Sequence, residues 1–244
     1  MAEKGLSVRL QAVADLVTPG YVVVDVGTDH GYLPIYLVEK GICPGAIAMD
    51  VRPGPLSKAR ANIRLHRLED KIRTRLSDGL DALEPGEGES LVLSGMGGPL
   101  MQEILSRSPA LLNGFHELIL QPQSDIPGFR HFLKEAGYEI AAEDMVFEDG
   151  KYYPMMRAIK KDKITESAEI SEELGEEYGE ILLKEKNPVL HQWLLHQETL
   201  MKRIQVQLQE ASTEKSLQRL EAVQREQRLL YEALQLYDSD GKKP

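Results

Sequence analysis

The stretch VVVDVGTDHGYL, Val22–Leu33, decides how the chain is read. A run of β-branched residues ends in Asp25, two glycines follow at Gly27 and Gly31, and apolar residues then resume. This is a strand, a tight turn and a helix start. In the dinucleotide fingerprint G-x-G-x-x-G such glycines let the backbone approach a pyrophosphate at a helix N-terminus. Here the spacing differs, and Asp29 stands between the two glycines. A carboxylate repels a pyrophosphate but attracts a sulfonium or an ammonium. The turn therefore favours a cationic ligand, set against the plainer alternative that Gly27 and Gly31 only serve the turn.

Outward from this stretch, up to about Lys160, short apolar runs alternate with helix-like segments, the pattern of an α/β fold with a parallel sheet. Strands are expected at Tyr21–Val26, Ala46–Val51, Ile72–Leu76, Ser90–Ser94 and Glu117–Gln121. Helices are expected at Ser7–Val17, Tyr32–Glu39, Pro55–His66, Pro99–Ser106 and Ile126–Ala136. The alternation ends in YEIAAEDMVFEDGKYYPMMRAIK, two strands joined by a turn at Glu148-Asp149-Gly150 with no room for a crossover helix. The sheet should thus be mostly parallel and close with an antiparallel hairpin.

After Lys160 the pattern changes to long helices. Ser171–Lys186 reads as one acidic helix stopped by Asn187-Pro188. Leu190, Leu194, Gln197, Met201, Ile204, Leu208 and Ala211 recur at coiled-coil spacing, and Leu220, Val223, Gln227, Leu230, Leu234 and Tyr237 form a second series. With a turn at ASTEKS between them, an antiparallel helical hairpin with a frayed tail DSDGKKP follows. Two domains are expected: residues 1–160, an α/β domain, and 161–244, a helical coiled-coil appendage.

Composition narrows the function. The chain has 244 residues, of which 42% are hydrophobic, enough for a sizeable core. No apolar run reaches the roughly 20 residues that span a bilayer, and MAEKGLSVRL lacks the centre of a signal peptide, so a cytoplasmic protein with no membrane partner is expected. Cys43 is the single cysteine, which excludes an intramolecular disulfide and a multi-cysteine zinc site; no metal is expected. The net charge of −10 argues against indiscriminate coating of nucleic acid. Even so, Arg52, Lys58, Arg60, Arg64, Arg67, Lys71, Arg73 and Arg75 make a basic island interrupted only by Glu69 and Asp70.

The strand ends carry the remaining signals. Asp50 ends the second strand, where an acidic residue can accept from both hydroxyls of a ribose, with Val51 beside it. Asp78-Gly79 follow the third strand, where a carboxylate can accept from an adenine amino group. Ser94-Gly95-Met96 end the fourth and offer backbone and a methionine face to a base. Open α/β sheets bind ligands along this C-terminal rim.

Together DVGTDHGYLP, MDVRPGPLSKARANI, SDGL, LSGMGG and LILQPQSD resemble the bacterial tRNA adenine-N1 methyltransferase family called TrmK, which modifies adenine 22. The resemblance spans the α/β half in order and extends to the helical half. It implies a Rossmann-like class I methyltransferase sheet with a C-terminal α-helical coiled-coil appendage, S-adenosyl-L-methionine as cofactor and tRNA as substrate and partner. The expected cofactor-binding residues are Asp25, Gly27, Thr28, His30, Gly31, Tyr32, Asp50, Val51, Asp78, Gly79, Ser94, Gly95 and Met96.

Methyl transfer to a ring nitrogen is an in-line displacement that asks chiefly for positioning and exclusion of water. Adenine N1 carries a lone pair, so no strong base is needed, but the methylated ring is cationic and a nearby carboxylate stabilises it. Asp29 is the expected catalytic residue; its alternative role is a cap on the helix that starts near Gly31. The D/N-P-P-Y/F tetrad of enzymes acting on exocyclic amino groups is missing, and SGMGG stands in its place, in keeping with an endocyclic acceptor.

Gly97 and Gly98 would admit a flat base, or simply begin a helix, while Gln121 and Gln123 place amides to read its edge. A paired adenine must be turned out before reaction, so RNA has to be gripped outside the pocket. Arg60, Arg64, Arg67 and Lys71 would share one face of a continuous helix and track phosphates, the alternative being a solvated exterior. Arg9, on the leading helix, is a further candidate. The helical half has 12 basic and 17 acidic residues, a net −5, which suits a self-packing hairpin better than an RNA clamp. A monomer is expected. A non-catalytic RNA scaffold and a small-molecule methyltransferase are the competing readings.

Overall fold

A computed structural model describes residues 5–161, 170–211 and 214–238. The chain divides into two compact units, residues 1–165 and 166–244. The first is built on a seven-stranded sheet of order β3-β2-β1-β4-β5-β7-β6. Its strands are β1 (Val23–Val26), β2 (Ala46–Asp50), β3 (Ile72–Leu76), β4 (Ser90–Met96), β5 (Glu117–Pro122), β6 (Tyr138–Glu148) and β7 (Lys151–Lys160). β1 to β5 pair in parallel, whereas β7 runs antiparallel to both β5 and β6. This is the mostly parallel sheet with the closing antiparallel hairpin that the sequence implied.

Helices α1 (Val8–Asp15), α2 (Tyr32–Glu39), α3 (Pro53–Leu65), α4 (Gly98–Arg107), α5 (Pro109–Leu112) and α6 (Ile126–Glu135) complete the unit. α3, α4 and α6 each begin with a proline in the first two positions, where its missing N–H is harmless and its fixed φ suits the helix. The sheet is apolar on both faces. Val24, Val26, Leu91, Leu93 and Leu118 join Met101, Phe129 and Leu133 in one core, while Val23, Ala46 and Val92 join Val13, Leu37 and Ile63 in the other. Cys43 is buried in the second.

Several boundaries differ from expectation for local reasons. β1 starts at Val23 and not Tyr21, because Val22 binds Glu89 through both its amide and its carbonyl. β4 continues beyond Ser94 to Met96 through a register shift at Gly95, whose φ of 80° suits glycine. α3 ends at Leu65. There Arg67 adopts a positive φ of 57°, and the Leu68 amide closes back onto the Ile63 carbonyl while its side chain turns toward the second core. The short α5 had no expectation.

In the second unit the expected single helix Ser171–Lys186 is two, α7 (Glu172–Tyr178) and α8 (Glu180–Lys184), broken where Gly179 takes φ 93° and ψ 114°. Asn187 caps α9 (Pro188–Ala211) by accepting from Val189 and Leu190. α10 (Glu214–Asp238) returns antiparallel: Gln227 meets Gln205, and the Tyr237 hydroxyl donates to the Asn187 carbonyl. Leu190, Leu194, Val223 and Leu230 of the expected seam are buried, but Ile204 is 39% exposed. The middle of the ASTEKS turn, residues 212–213, and the tail from residue 239 lie outside the described residues. Among the described residues no helix is long and apolar enough to cross a membrane.

Phe129 is fully buried under α4 and against the sheet. Phe129→Ala should destabilise the first unit by roughly 3–5 kcal/mol, read as a lower urea midpoint of its unfolding transition.

Candidate functional site

The strand order reverses between β1 and β4: the chain leaves β1 toward β2 on one side, and β4 leads to β5 on the other. Such a switch point opens a crevice at the C-terminal rim. The turn that borders it is fixed by backbone bonds, with the Gly27 and Thr28 amides both donating to the Met49 carbonyl at 2.8 and 3.0 Å. Gly27, His30 and Gly31 then take φ of 77°, 67° and 72°. A side chain at Gly27 would meet the Met96 methyl at 2.4 Å, so Met96 of β4 lies across the turn. Gly31 lies against Ala59 of α3, and Asn62 of α3 donates to the His30 carbonyl at 2.9 Å.

Carboxylates gather on the β1–β2 side. Asp25 is buried, and burial pushes its carboxyl up to about 6; the nearby Thr28 hydroxyl opposes this and the neighbouring Asp50 adds to it. The Thr28 hydroxyl is buried close to the Asp25 carboxyl, but among the described residues it completes no hydrogen bond of good length and angle. Asp50 is buried too, and accepts from the Arg52 amide at 2.8 Å. Val51 beside it is 58% exposed, an apolar face at the rim. Asp29 points outward with its side chain 72% exposed, 3.4 Å from His30 Nε2, and His30 stacks on the half-exposed Tyr32. α2 starts from Gly31 without any side-chain cap, so the capping alternative for Asp29 falls away.

On the β3 side, Asp78 is held by Arg107, whose Nη2 lies 3.1 Å from Oδ1, and this guanidinium keeps the Asp78 carboxyl below its ordinary range. Gly79 takes a positive φ under Ile104 and Arg107.

The β4–β5 side has another character. Arg9 reaches over from α1 and donates from Nη1 to Ser94 Oγ at 3.1 Å and to the buried Gln121 Oε1 at 3.0 Å. A side chain at Gly95 would meet Arg9 Nη1 at 3.5 Å and the Gln123 amide at 3.7 Å. Gln123 is tied by its amide to the Met96 carbonyl, and Gly98 by its amide to Ser124. Gly98 leaves no room for a side chain, since a Cβ would sit 2.6 Å from the Ser124 carbonyl oxygen.

The structure thus brings Asp25, Gly27, Thr28, Asp29, His30, Gly31, Tyr32, Asp50, Val51, Ser94, Gly95, Met96, Gly97, Gly98, Gln121, Gln123 and Arg9 to one rim, with Asp78 and Gly79 at the adjoining strand end. The expected continuous basic face is only partly formed. Because α3 stops at Leu65, only Arg60 and Arg64 share its exposed face, and Arg67 and Lys71 lie beyond it. Arg60 binds Thr74, Arg64 faces Glu69, and Arg73 and Arg75 pair with Glu87. Asn62 and Arg107 escaped the sequence reading, since each reaches its partner from about 30 positions away with no motif to mark it.

A model of the methyltransferase domain matches residues 6–156. The chain is 35% identical over 238 residues to the tRNA (adenine(22)-N(1))-methyltransferase of Bacillus subtilis (strain 168), covering 96% of this chain and 99% of that protein. It is also similar to the crystal structure of Streptococcus pneumoniae Sp1610, a putative tRNA (m1A22) methyltransferase, in complex with S-adenosyl-L-methionine. There the TM-score is 0.80 at 32% identity, covering 94% of this chain and 99% of that one. TrmK of M. capricolum in complex with S-adenosyl-homocysteine superposes with a TM-score of 0.79 at 26% identity, over 95% and 98% of the two chains.

Asp25 gives a pH test. Its folded value of about 6 lies above the 3.8 of a free aspartate, so the native state holds the proton more tightly than the unfolded chain. This group's favourable contribution is complete below about pH 4 and is lost as pH rises through about 6. Asp25→Asn should therefore stabilise the ligand-free protein by on the order of 2–3 kcal/mol at pH 7.5, with the gain shrinking toward pH 4 in thermal unfolding.

Proposed function

The chain belongs to the family of tRNA (adenine(22)-N(1))-methyltransferases, and from that premise we propose that it transfers a methyl group from S-adenosylmethionine to N1 of adenine 22 in tRNA. The observation that carries the site assignment is the division of the rim. Buried carboxylates, Asp25 with the Thr28 hydroxyl close to it and Asp50, lie on the β1–β2 side, and an arginine with neutral partners lies on the β4–β5 side.

The residues present fit the cofactor. Asp25 and Thr28, with the turn at Gly27, would hold an ammonium-bearing amino-acid end; the Thr28 hydroxyl would thereby gain a well-aligned hydrogen bond. Asp50 would accept from the ribose, and Val51 would lie against a base. Asp78 and Gly79 would meet the adenine edge, with Arg107 setting the carboxylate's orientation. When bound, S-adenosylmethionine supplies a methyl carbon made electrophilic by its sulfonium.

The chain's own work is to orient and to shield. Adenine N1 attacks with its lone pair, so no residue has to remove a proton first. Positive charge develops on the ring, and Asp29, at the mouth of the pocket, stabilises it. The parallel rings of His30 and Tyr32 wall off one side. Gln121, Gln123 and the glycines of SGMGG receive the base, and Arg9 receives a phosphate of the extruded nucleotide. Arg60 and Arg64 grip RNA outside the pocket. In this reading residues 1–160 carry the chemistry, residues 161–244 form a self-packing helical hairpin, and the enzyme works as a cytoplasmic monomer.

Transfer of radiolabelled methyl from S-adenosylmethionine to unmodified tRNA, followed by nucleoside analysis, should yield 1-methyladenosine at position 22; a folded sample giving none would refute the reading. Asp29→Ala should lower kcat roughly 10- to 100-fold while leaving cofactor affinity near that of the parent. Reversing charge at Arg60 and Arg64 together should raise KM for tRNA about tenfold and flatten its dependence on salt.

A further inference from the structure

We propose that Glu148 is a positioning residue for the target nucleotide: from the tip of the β6–β7 hairpin it anchors the first turn of α1 and so holds Arg9 across the ends of β4 and β5. The inference rests on the reading of that rim as the place that receives the adenosine.

The first turn of a helix has amides with no partner inside the helix. In α1 those of Val8, Arg9 and Leu10 are met by side chains. Ser7 accepts from Leu10, while Glu148 Oε1 accepts from the Val8 amide at 2.6 Å and Oε2 lies 3.3 Å from the Arg9 amide. α1 has no acidic residue in its own first turn, so the carboxylate that complements its dipole comes from 140 positions away. Burial of the first turn's own residues does not do this work, although Leu6 just before it packs against the second core. The buried residues of α1 are Ala12, Val13 and Ala14, all in its second half, and Val8 is 55% exposed.

The hairpin is built to present this carboxylate. Asp149 and Gly150 both have positive φ, 49° and 78°, the two-residue turn that suits the twist of paired strands, and it pins Glu148 opposite Lys151. Alternation along β6 puts Val146 on the same face as Glu148. Val146 and its partner Tyr153 pack into the second core with Ala12 and Val13, so the hairpin supports α1 from beneath as well as at its end.

What the anchored turn carries is Arg9. Its guanidinium lies over the Tyr153 ring at 5.7 Å and donates to Ser94 and Gln121. Among the described residues it forms no ion pair, so its charge stays available to an anion such as the phosphate beside a turned-out nucleotide. By holding Gln121 Oε1 it also sets which way that buried amide faces, with Nε2 directed to the Pro122 carbonyl at 3.2 Å. A displaced first turn would lose the phosphate contact and the orientation of the amide together.

The test is a double-mutant cycle on the full chain with R9A, E148A and R9A/E148A, assayed by methyl transfer to unmodified tRNA, with S-adenosylmethionine affinity measured by calorimetry. E148A should lower kcat/KM for tRNA about tenfold and leave cofactor affinity within twofold. In the R9A background it should cause no further loss, and E148D, which keeps the charge, should recover more activity than E148A. Hydrogen exchange needs no substrate and should be faster in E148A at residues 8–9. Equal losses in both backgrounds, a parallel loss of cofactor affinity, or unchanged exchange would each overturn the proposal. A parent enzyme that makes no 1-methyladenosine would instead sink the functional reading, and a fully active R9A would remove Arg9, and Glu148 with it, from the site.

Discussion

Two amides share one carbonyl at the end of β1, those of Gly27 and Thr28 on Met49, and the organisation of the rim depends on that hook. It ties the turn to β2, on the side of β1 away from the point where strand order reverses, and the chain then leaves through left-handed backbone at Gly27, His30 and Gly31. Glycine accepts this at little cost; a histidine does not, and the Asn62 side chain on the His30 carbonyl holds it there. Asp29 is thereby lifted out of the fold and exposed at the crevice, while Asp25 and Thr28 are drawn under it.

The rim that results is divided electrically. The β1–β2 side carries carboxylates, and burial, with Asp50 adding to it, pushes the Asp25 carboxyl up to about 6. The β4–β5 side carries Arg9, bound only to neutral oxygens. A sulfonium and an ammonium suit the first, and a nucleotide phosphate suits the second. Methyl transfer from a cationic donor to an RNA base brings these two charges into one pocket from opposite sides. In an acidic chain, this division does more to define the ligand pair than the overall charge.

Much of this was legible in the order of residues. Buried parallel strands are nearly continuous apolar runs, so β2 and β5 were bounded to within one residue, while the more polar edge strand β3 was bounded by the Ser77-Asp78-Gly79 turn signal that ends it. The Asp-Gly turn announced the β6–β7 hairpin. The strand-end motifs located Asp25, Asp50, Asp78 and the SGMGG segment at one rim, because a parallel sheet sends all its C-terminal ends the same way. Where the periodicity failed, a single backbone angle was responsible. Gly179 divides an otherwise unbroken helical pattern, and Arg67 ends α3 in a conformation that its side chain does not foretell.

By itself, then, the sequence determined the sheet, its closing hairpin, the chemistry lined up along its edge and the family to which those motifs belong, since each is written in local period and in residues close together along the chain. Only the tertiary structure decided which of those groups are buried, paired or free. Asp78 meets Arg107, His30 is held by Asn62, and Glu148 caps a helix 140 positions away. These contacts are made by side chains brought together when strands pair and helices cross, and no spacing in a linear pattern encodes them.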